Sequence, residues 1–294
     1  MSVAVSTNSV NGMQRRSNTL VRFVRLFRKG AQLQRPFCVL AGVLASLVLW
    51  SDAVAATSAA TSPCAADRVD ERATVRKVFD GDTVELADGR HIRFVGINAP
   101  EVAHEGKPAE PFAEDARAAL ETALKKDHTV LLRYDAERFD VHQRTLAHLY
   151  LSDRSSIEAM LLEQGLAFWI AIPPGLHDAE CYRAREQHAR SAKRGIWSNA
   201  YYAPMDAQHV GPGADGFHVV KGRVVRIGQS KNTIWLNLAP HMALRIARED
   251  MQYFTNYKPE SLRGRDIVAR GWITPFKNGD YVMRVRHPDA LELQ

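Results

Sequence analysis

Cysteine is scarce in this chain, and the sequence signatures of several large enzyme classes are missing. Three of the 294 residues are cysteine and no two of them form a C-x-x-C pair, which excludes thiol redox catalysis by that motif. No P-loop of the form G-x-x-x-x-G-K-[ST] and no G-x-S-x-G nucleophile elbow occur, so the corresponding nucleotide hydrolases and serine hydrolases are excluded as well. His91, His148, His177 and His188 lack the spacing of a ligand set, and we assign no metal ligand to them.

A hydrophobic run long enough to cross a membrane is also missing. The apolar segment 37–50 has only 14 residues, whereas a helix needs about 20 to cross a bilayer. Basic residues precede this segment and Ala53-Val54-Ala55 follows it, which is typical of a signal peptide and its cleavage site. We therefore predict that residues 1–55 direct export to the periplasm or the medium, with no stable membrane span. Retention of this segment as an N-terminal anchor is the alternative.

The net charge gives no evidence that the exported part binds nucleic acid. The formal charge is +6, from 39 basic and 33 acidic residues. Seven of the basic residues and one of the acidic residues lie in the first 55 positions, so the remainder is formally neutral. Its charge is unevenly distributed, however: residues 56–209 carry 19 basic and 24 acidic side chains, and residues 210–294 carry 13 and 8.

Hydrophobic patterning divides the rest of the chain into two folded parts. Residues 56–70 lack periodicity and predict a flexible lead, and the Pro-, Gly- and Ala-rich segment 201–216 predicts a linker. Residues 71–200 show three strands, a helix, two strands and two helices, and the strand order is that of a five-stranded Greek-key OB barrel. Residues 217–294 repeat this order and predict a second, smaller OB-like barrel. The predicted strands of the first barrel are 75–78, 83–86, 92–95, 129–134 and 146–151, and its helices are 111–126, 156–164 and 179–194.

Residues 80–101 carry most of the information about chemistry. Asp-Gly turn dipeptides at positions 80 and 88 separate runs of β-branched and apolar residues, so the stretch predicts a three-strand meander. Oxygen ligands suit a hard cation, a guanidinium binds phosphate through two hydrogen bonds, and a free carboxylate can activate water. The meander is expected to bring together the groups that metal-assisted phosphodiester cleavage requires: Asp82, Arg93, Asn98 and Glu101.

Four motifs occur in a specific order. They are the D-G-D-T turn, the R-x-x-G-I-x-x-P-E segment ending at Glu101, the Gln-Arg-Thr-Leu-Ala segment at 143–147, and Gly-Ile-Trp-Ser at 195–198 behind the helix that carries Glu186. In these motifs the chain resembles the staphylococcal nuclease (thermonuclease) family, from about residue 73 to 199. The resemblance implies an OB barrel with three helices and a nuclease that uses Ca²⁺.

The resemblance implies a metal site as well. Asp82 would be the first ligand, and the main-chain carbonyl of Ala99 would be another. Asn98 stands where the best-known family member has a second aspartate, so we expect weaker metal binding, with other divalent ions as alternatives to calcium. A turn role for Asp82 and a capping role for Asn98 are the alternatives.

The resemblance further implies the catalytic groups. Glu101 would act as general base, and Arg93 and Arg144 would bind the scissile phosphate and neutralise its growing charge. Where the family contacts the substrate with a lysine and a tyrosine, this chain has Val141 and His142. His142 is therefore the candidate substrate-binding residue, and an exposed histidine without a role is the alternative.

Two further groups of residues leave alternatives open. Cys64 and Cys181 predict a disulfide in an oxidising compartment, or else two unrelated thiols. The basic C-terminal part contains Trp235, Trp272, Phe276 and Tyr281, which are interpreted as core residues or, as a hypothesis, as a surface on which bases stack.

These observations favour an exported, calcium-dependent nuclease that hydrolyses DNA and RNA with little sequence specificity. We expect a monomer without a small-molecule cofactor. The alternative is a catalytically inactive nucleic-acid-binding protein of the cell envelope. Because only Asn98 departs from the metal and catalytic set that the family implies, the enzyme is favoured.

Overall fold

A computed structural model describes residues 64–104 and 106–294. The predicted signal segment and residues 56–63 of the lead lie outside the described residues. All of the described residues belong to one compact unit, Thr57–Gln294. No helix in this part of the chain is long and apolar enough to cross a membrane.

The first half of the described chain is a closed five-stranded barrel surrounded by helices. The strand order is β1-β2-β3-β6-β5, and β5 returns to pair with β1. The short strands β4 and β7, which were not predicted, form a separate antiparallel pair. The elements are β1 Glu71–Val78, β2 Thr83–Leu86, β3 His91–Phe94, β4 Ile97–Asn98, α1 Ala113–Leu124, β5 Thr129–Phe139, β6 Thr145–Tyr150, α2 Ile157–Gln164, β7 Phe168–Trp169 and α3 Ala179–Ser191.

Local sequence signals explain where these elements begin and end. Asp88 accepts a hydrogen bond from the Arg90 N–H at 3.0 Å and closes the β2–β3 turn. Ser156 caps α2 by accepting from the Ala159 N–H, and Gly165 ends that helix with a positive φ of 70°. The barrel and the three helices therefore confirm the predicted staphylococcal-nuclease-type OB fold.

The predicted disulfide is present between Cys64 and Cys181, with a Cα–Cα distance of 5.8 Å. It ties the start of the described chain to α3, across 117 positions of sequence. The alternative of two unrelated thiols is wrong.

The second half of the described chain forms an eight-stranded sheet, which we call the C-terminal sheet. A short 3₁₀ helix at Arg248–Tyr253 stands where a helix was predicted. The strands are β8 Met205–Asp206, β9 Gly216–Arg223, β10 Arg226–Gln229, β11 Thr233–Ala239, β12 Met242–Ala247, β13 Asp266–Pro275, β14 Tyr281–Arg284 and β15 Leu291–Leu293.

The strand order of the C-terminal sheet repeats that of the first barrel. Its path is β10-β11-β12-β14-β13-β9, and only Val224 and Val225 separate β9 from β10. β9 pairs with β13 and β10 pairs with β11. These two strands together correspond to β1, which pairs with both β5 and β2. The parallel pair β12–β14 corresponds to β3–β6. This order agrees with a second OB-like barrel, which stays a prediction because the strands form a sheet to which β8 and β15 are added.

The segment predicted as a linker, 201–216, is packed rather than loose. It contains β8, which pairs with β9 in parallel, and it buries Ala207, Val210 and Ala214 in the core of the C-terminal sheet. Its small apolar side chains fit this packing, which composition alone did not indicate.

Candidate active site

Asp82 lies buried at the end of the β1–β2 turn, with 3% of its surface exposed. Asp80 closes the turn by accepting a hydrogen bond from the Asp82 N–H at 2.8 Å. One carboxylate oxygen of Asp82 accepts from the Ala99 N–H at 2.6 Å, and the other accepts from the Thr83 hydroxyl at 3.0 Å. A Cβ atom on Gly81 would come within 2.7 Å of the Cβ of Ala99, so only glycine allows the turn to approach the loop this closely.

Arg93 extends from β3 and contacts both of the predicted metal ligands that are side chains, Asp82 and Asn98. Its pairing with Thr83 in the β2–β3 ladder sets its position beside Asp82, and an Nη1–Oδ2 distance of 3.1 Å joins the two side chains. The guanidinium also donates to the main-chain carbonyls of Phe94 and Ile97, both at 2.9 Å, and to Asn98 Oδ1 at 3.1 Å. These contacts hold the cation in one orientation, since each restricts the same planar group.

The β4–β7 pair positions Asn98, which is the last residue of β4, and Ala99, which follows it. Asn98 is 7% exposed and lies opposite Phe168 in that pair. Its amide nitrogen lies 3.5 Å from the Ala99 carbonyl oxygen. The Asp82 carboxylate, the Asn98 amide oxygen and this carbonyl are oxygen donors of the kind that calcium and similar hard cations bind.

Glu101 lies in the exposed loop after β4 and is electrostatically linked to the same site. Partial burial of its carboxyl group and the nearby negative charge of Asp82 raise its pKa, against the opposing effect of Arg93. Its N–H donates to Glu110 at 3.0 Å, which ties the loop to the segment before α1. Burial is thus the main cause of the raised pKa of Glu101, and the charge of Asp82 adds to it.

Asp80 also belongs to the site, which the sequence analysis did not predict. It was interpreted as a turn residue, and it has that role, but it also contributes to the acidic cluster. Burial, followed by the charges of Asp82 and Glu101, raises its pKa to about 7. The D-x-D spacing at 80–82 was the available signal.

Arg144 and His142 line a neighbouring cavity of about 320 Å³ instead of contacting Asp82. Asp140 orients Arg144 through a hydrogen bond of 2.7 Å from Nε. Gln143, in the tight turn before Arg144, has a positive φ of 62°, a conformation that few residues other than glycine adopt.

The strand register nevertheless places Arg144 on the same barrel face as Arg93. Ile92 is paired with Thr145 in the parallel β3–β6 ladder, and both of these side chains are buried. Their neighbours Arg93 and Arg144 therefore point outwards, with Cα atoms about 8 Å apart if the strand spacing is ideal.

The structure thus brings Asp82, Arg93, Asn98 and Ala99 into direct contact. Glu101 belongs to the same electrostatic cluster, and Arg144 lies on the same face. In the described part of the chain, no group of three His, Cys, Asp or Glu residues has the geometry of a metal site. The predicted ligands include only one carboxylate, so their metal-binding role stays a prediction.

This half of the chain is a closed five-stranded barrel in which a buried aspartate contacts an arginine on β3. These features define it as an OB barrel of the nuclease type. Residues 91–199 match the family described as "Staphylococcal nuclease homologue". The nuclease-type barrel of this chain therefore belongs to the staphylococcal nuclease family.

Named relatives agree with this assignment. The chain is similar to "Endonuclease YncB" of Bacillus subtilis (30% identical, 44% of this chain and 63% of the relative) and to "Thermonuclease" of Staphylococcus intermedius (29% identical, 42% and 74%). It is also similar to "Probable endonuclease lcl3" of Botryotinia fuckeliana (32% identical, 40% and 46%). The chain spans about half the length of several relatives that it matches.

Proposed function

We propose that this protein is an exported, calcium-dependent nuclease that hydrolyses phosphodiester bonds of DNA and RNA with little sequence specificity. The observation that carries the proposal is the contact of Asp82 and Asn98 with one arginine, Arg93, inside a barrel of the staphylococcal nuclease family. The names of the relatives support nucleic acid as the substrate.

The chemistry of the donor set fits a divalent cation. Asp82, Asn98 and the Ala99 carbonyl supply oxygen atoms only, and Asp80 and Glu101 place two further carboxyl groups near them. A bound calcium ion would supply Lewis-acid polarisation of the phosphate and a template for the substrate. One carboxylate fewer than in the best-known family member makes its affinity low.

The protein's own residues would position and neutralise the scissile phosphate. Arg93 is held by two carbonyl oxygens and Asn98, so it costs little reorganisation when charge grows on the phosphate oxygens. Arg144, held by Asp140, approaches from the adjacent strand on the same face. His142 would contact the flanking nucleotide at the cavity beside Arg144.

Glu101 would accept a proton from the attacking water. Its raised pKa makes it a better base than an ordinary surface glutamate. The attack would be in line with the departing 5′ oxygen, which leaves a 3′-phosphate as the family resemblance implies.

The test is cleavage of fluorescently labelled single-stranded and double-stranded DNA and of RNA, with calcium and with chelator. We expect cleavage with calcium, none with chelator, and a loss of about 100-fold or more in Glu101→Gln. Glu121→Gln, on the exposed face of α1, is the matched control and should cleave normally. Binding without cleavage under any divalent cation would instead favour the inactive binding protein.

A further inference from the structure

A cavity of about 260 Å³ lies on the C-terminal sheet, away from the predicted catalytic residues. Its walls come from β10, β11 and the start of β12, and from the loop between β13 and β14. Trp235, Phe276 and Tyr281 contribute aromatic rings to it, and Arg226 contributes a cation. We call this cavity the aromatic groove.

The aromatic groove occupies the same place in its sheet as the Arg144 cavity does in the first barrel. The Arg144 cavity is lined by the β2–β3 turn, the start of β3 and the β5–β6 connection. The corresponding elements of the C-terminal sheet are the β11–β12 turn, the start of β12 and the β13–β14 connection, and they all line the aromatic groove. Two sheets of the same strand order therefore have a cavity at the equivalent position.

The aromatic rings are arranged for contact with a planar partner. Along β11, Ile234 and Leu236 are buried and Trp235 between them points outwards. Trp235 lies across Gly228 of β10, where an added Cβ atom would be 3.4 Å from the tryptophan Cβ. Phe276 is 44% exposed, and its ring centroid lies 5.6 Å from that of Trp235 at an angle of 49°. The two rings thus form an accessible pair rather than a core contact.

Positive charge flanks these rings. Arg245 stands directly opposite Trp235 in the β11–β12 ladder, and the two partly exposed side chains alternate with buried ones, so they lie on the same face of the sheet. Arg226 is fixed by its hydrogen bond of 2.9 Å to Asn237. Residues 210–294 carry 13 basic and 8 acidic side chains, the reverse of the balance in 56–209.

We propose that the aromatic groove binds single-stranded nucleic acid and holds the polynucleotide substrate for the nuclease-type barrel. Bases would stack on Trp235 and Phe276, and phosphates would contact Arg245 and Arg226. Stacking on aromatic side chains beside a basic track binds single strands with little sequence preference. This inference rests on the proposed function, because it extends the same substrate to a second site.

The groove holds the strand and does not cut it. Asp280 is the one carboxylate among the lining residues, and it is paired with His241 at 2.9 Å. The groove therefore lacks the acidic cluster that surrounds Asp82. Duplex DNA is a poorer ligand, since its bases are already stacked on one another and present only their edges.

The experiment measures binding of a fluorescein-labelled oligodeoxythymidylate of about 20 nucleotides to the full chain, by fluorescence anisotropy in chelator across a salt series. Trp235→Leu keeps an apolar side chain, and Phe276→Ala changes an exposed loop residue. Both variants are therefore expected to fold, and each tests the groove independently of the other. Each should weaken binding about ten-fold or more while the salt dependence stays the same. Arg245→Ala should instead lower the slope of log K against log salt by about 0.7, the value for one lost phosphate contact.

Matched controls lie outside the groove. Trp272→Ala removes an exposed tryptophan of β13 whose ring meets that of Phe217 edge to face at 5.1 Å, and Arg223→Ala removes an exposed arginine of β9. Both should bind as the unchanged protein does. In cleavage assays the groove variants should raise KM for the long single strand, with kcat unchanged and with cleavage of a tetranucleotide unaffected.

The possible outcomes separate the two proposals. Normal oligonucleotide affinity in Trp235→Leu and Phe276→Ala would overturn the proposal that the groove binds nucleic acid, whether or not the protein cleaves DNA. The same result is expected if the groove binds a protein instead. Groove-dependent binding without cleavage in calcium would support the groove and overturn the nuclease. If the protein without substitutions neither binds the oligonucleotide nor cleaves DNA, both proposals are overturned.

Discussion

The substitution Arg270→Met tests how the C-terminal sheet supports the nuclease-type barrel. Arg270 is on β13 and is 8% exposed. Its Nη1 atom lies 2.7 Å from both carboxylate oxygens of Glu186 on α3, and its Nη2 atom lies 2.6 Å from Glu292 on β15. Glu186 in turn accepts a hydrogen bond from the Trp169 N–H at 2.9 Å. Methionine fills most of the same volume but leaves Glu186 buried without a cation.

The expected loss of stability follows from that unpaired charge. Removing one partner of a buried ion pair costs about 3–5 kcal/mol, and Glu186 is the partner with only 4% of its side chain exposed. Arg183→Met is the matched control, because Arg183 lies on the same helix as Glu186 and pairs with Asp289 at 3.4 Å, but with half of its side chain exposed. An exposed pair contributes about 1 kcal/mol or less.

The assay is urea unfolding followed by tryptophan fluorescence. Adding Glu186→Gln to Arg270→Met should recover part of the loss, because the unpaired charge is removed. A cost below about 1 kcal/mol for Arg270→Met, or no recovery in the double variant, would refute the reasoning.

The same network predicts a pH dependence. Burial opposes ionisation of Glu292, but Arg190 and Arg270 outweigh it and hold the pKa of Glu292 below its usual value. A lowered carboxyl pKa stabilises the fold above the unfolded pKa, and this stabilisation is lost as the pH falls below about 4.5. Arg270→Met should therefore flatten the acid side of the stability curve.

Two further predictions concern the proposed metal site and the disulfide. Asn98→Asp restores a second carboxylate beside Asp82, and it should lower the calcium concentration for half-maximal binding by about ten-fold or more in calorimetry; an unchanged value would place the cation elsewhere. Replacing Cys64 and Cys181 with serine opens a loop of 117 positions and should destabilise the fold by up to about 5 kcal/mol in the chain-entropy account. Urea unfolding checks this, and an equal midpoint with and without reductant in the unchanged protein would contradict it.

Much of the first barrel was predictable, because its signals are local. Turn dipeptides, the serine cap of α2 and the alternation of buried residues indicated elements whose bounds agree with the structure within a few residues, apart from the longer β1 and β5. The strands β4 and β7 escaped prediction, since two residues are too few for a periodicity to appear. Their pairing depends on contacts between Ile97 and Trp169, which lie 72 positions apart.

The site was only partly predictable for the same reason. The family motifs identified Asp82, Arg93 and Asn98, and these side chains do meet. Asp80 was missed because a turn role explained it sufficiently, while its raised pKa depends on burial that sequence does not reveal. The role of Arg270 was equally hidden, since its partners Glu186 and Glu292 come from α3 and β15.

Deleting the C-terminal sheet would be a poor test of its function. The strand β4, which carries Asn98, pairs only with β7 among the described elements, and β7 is held through Trp169 by Glu186. A truncation removes Arg270 from Glu186, so it perturbs the site even if the aromatic groove binds nothing. Reduced cleavage by a truncated chain would therefore not distinguish a lost substrate contact from a displaced Asn98. Point substitutions at Trp235 and Phe276 leave the Arg270 network intact, and this separation makes them the decisive variants.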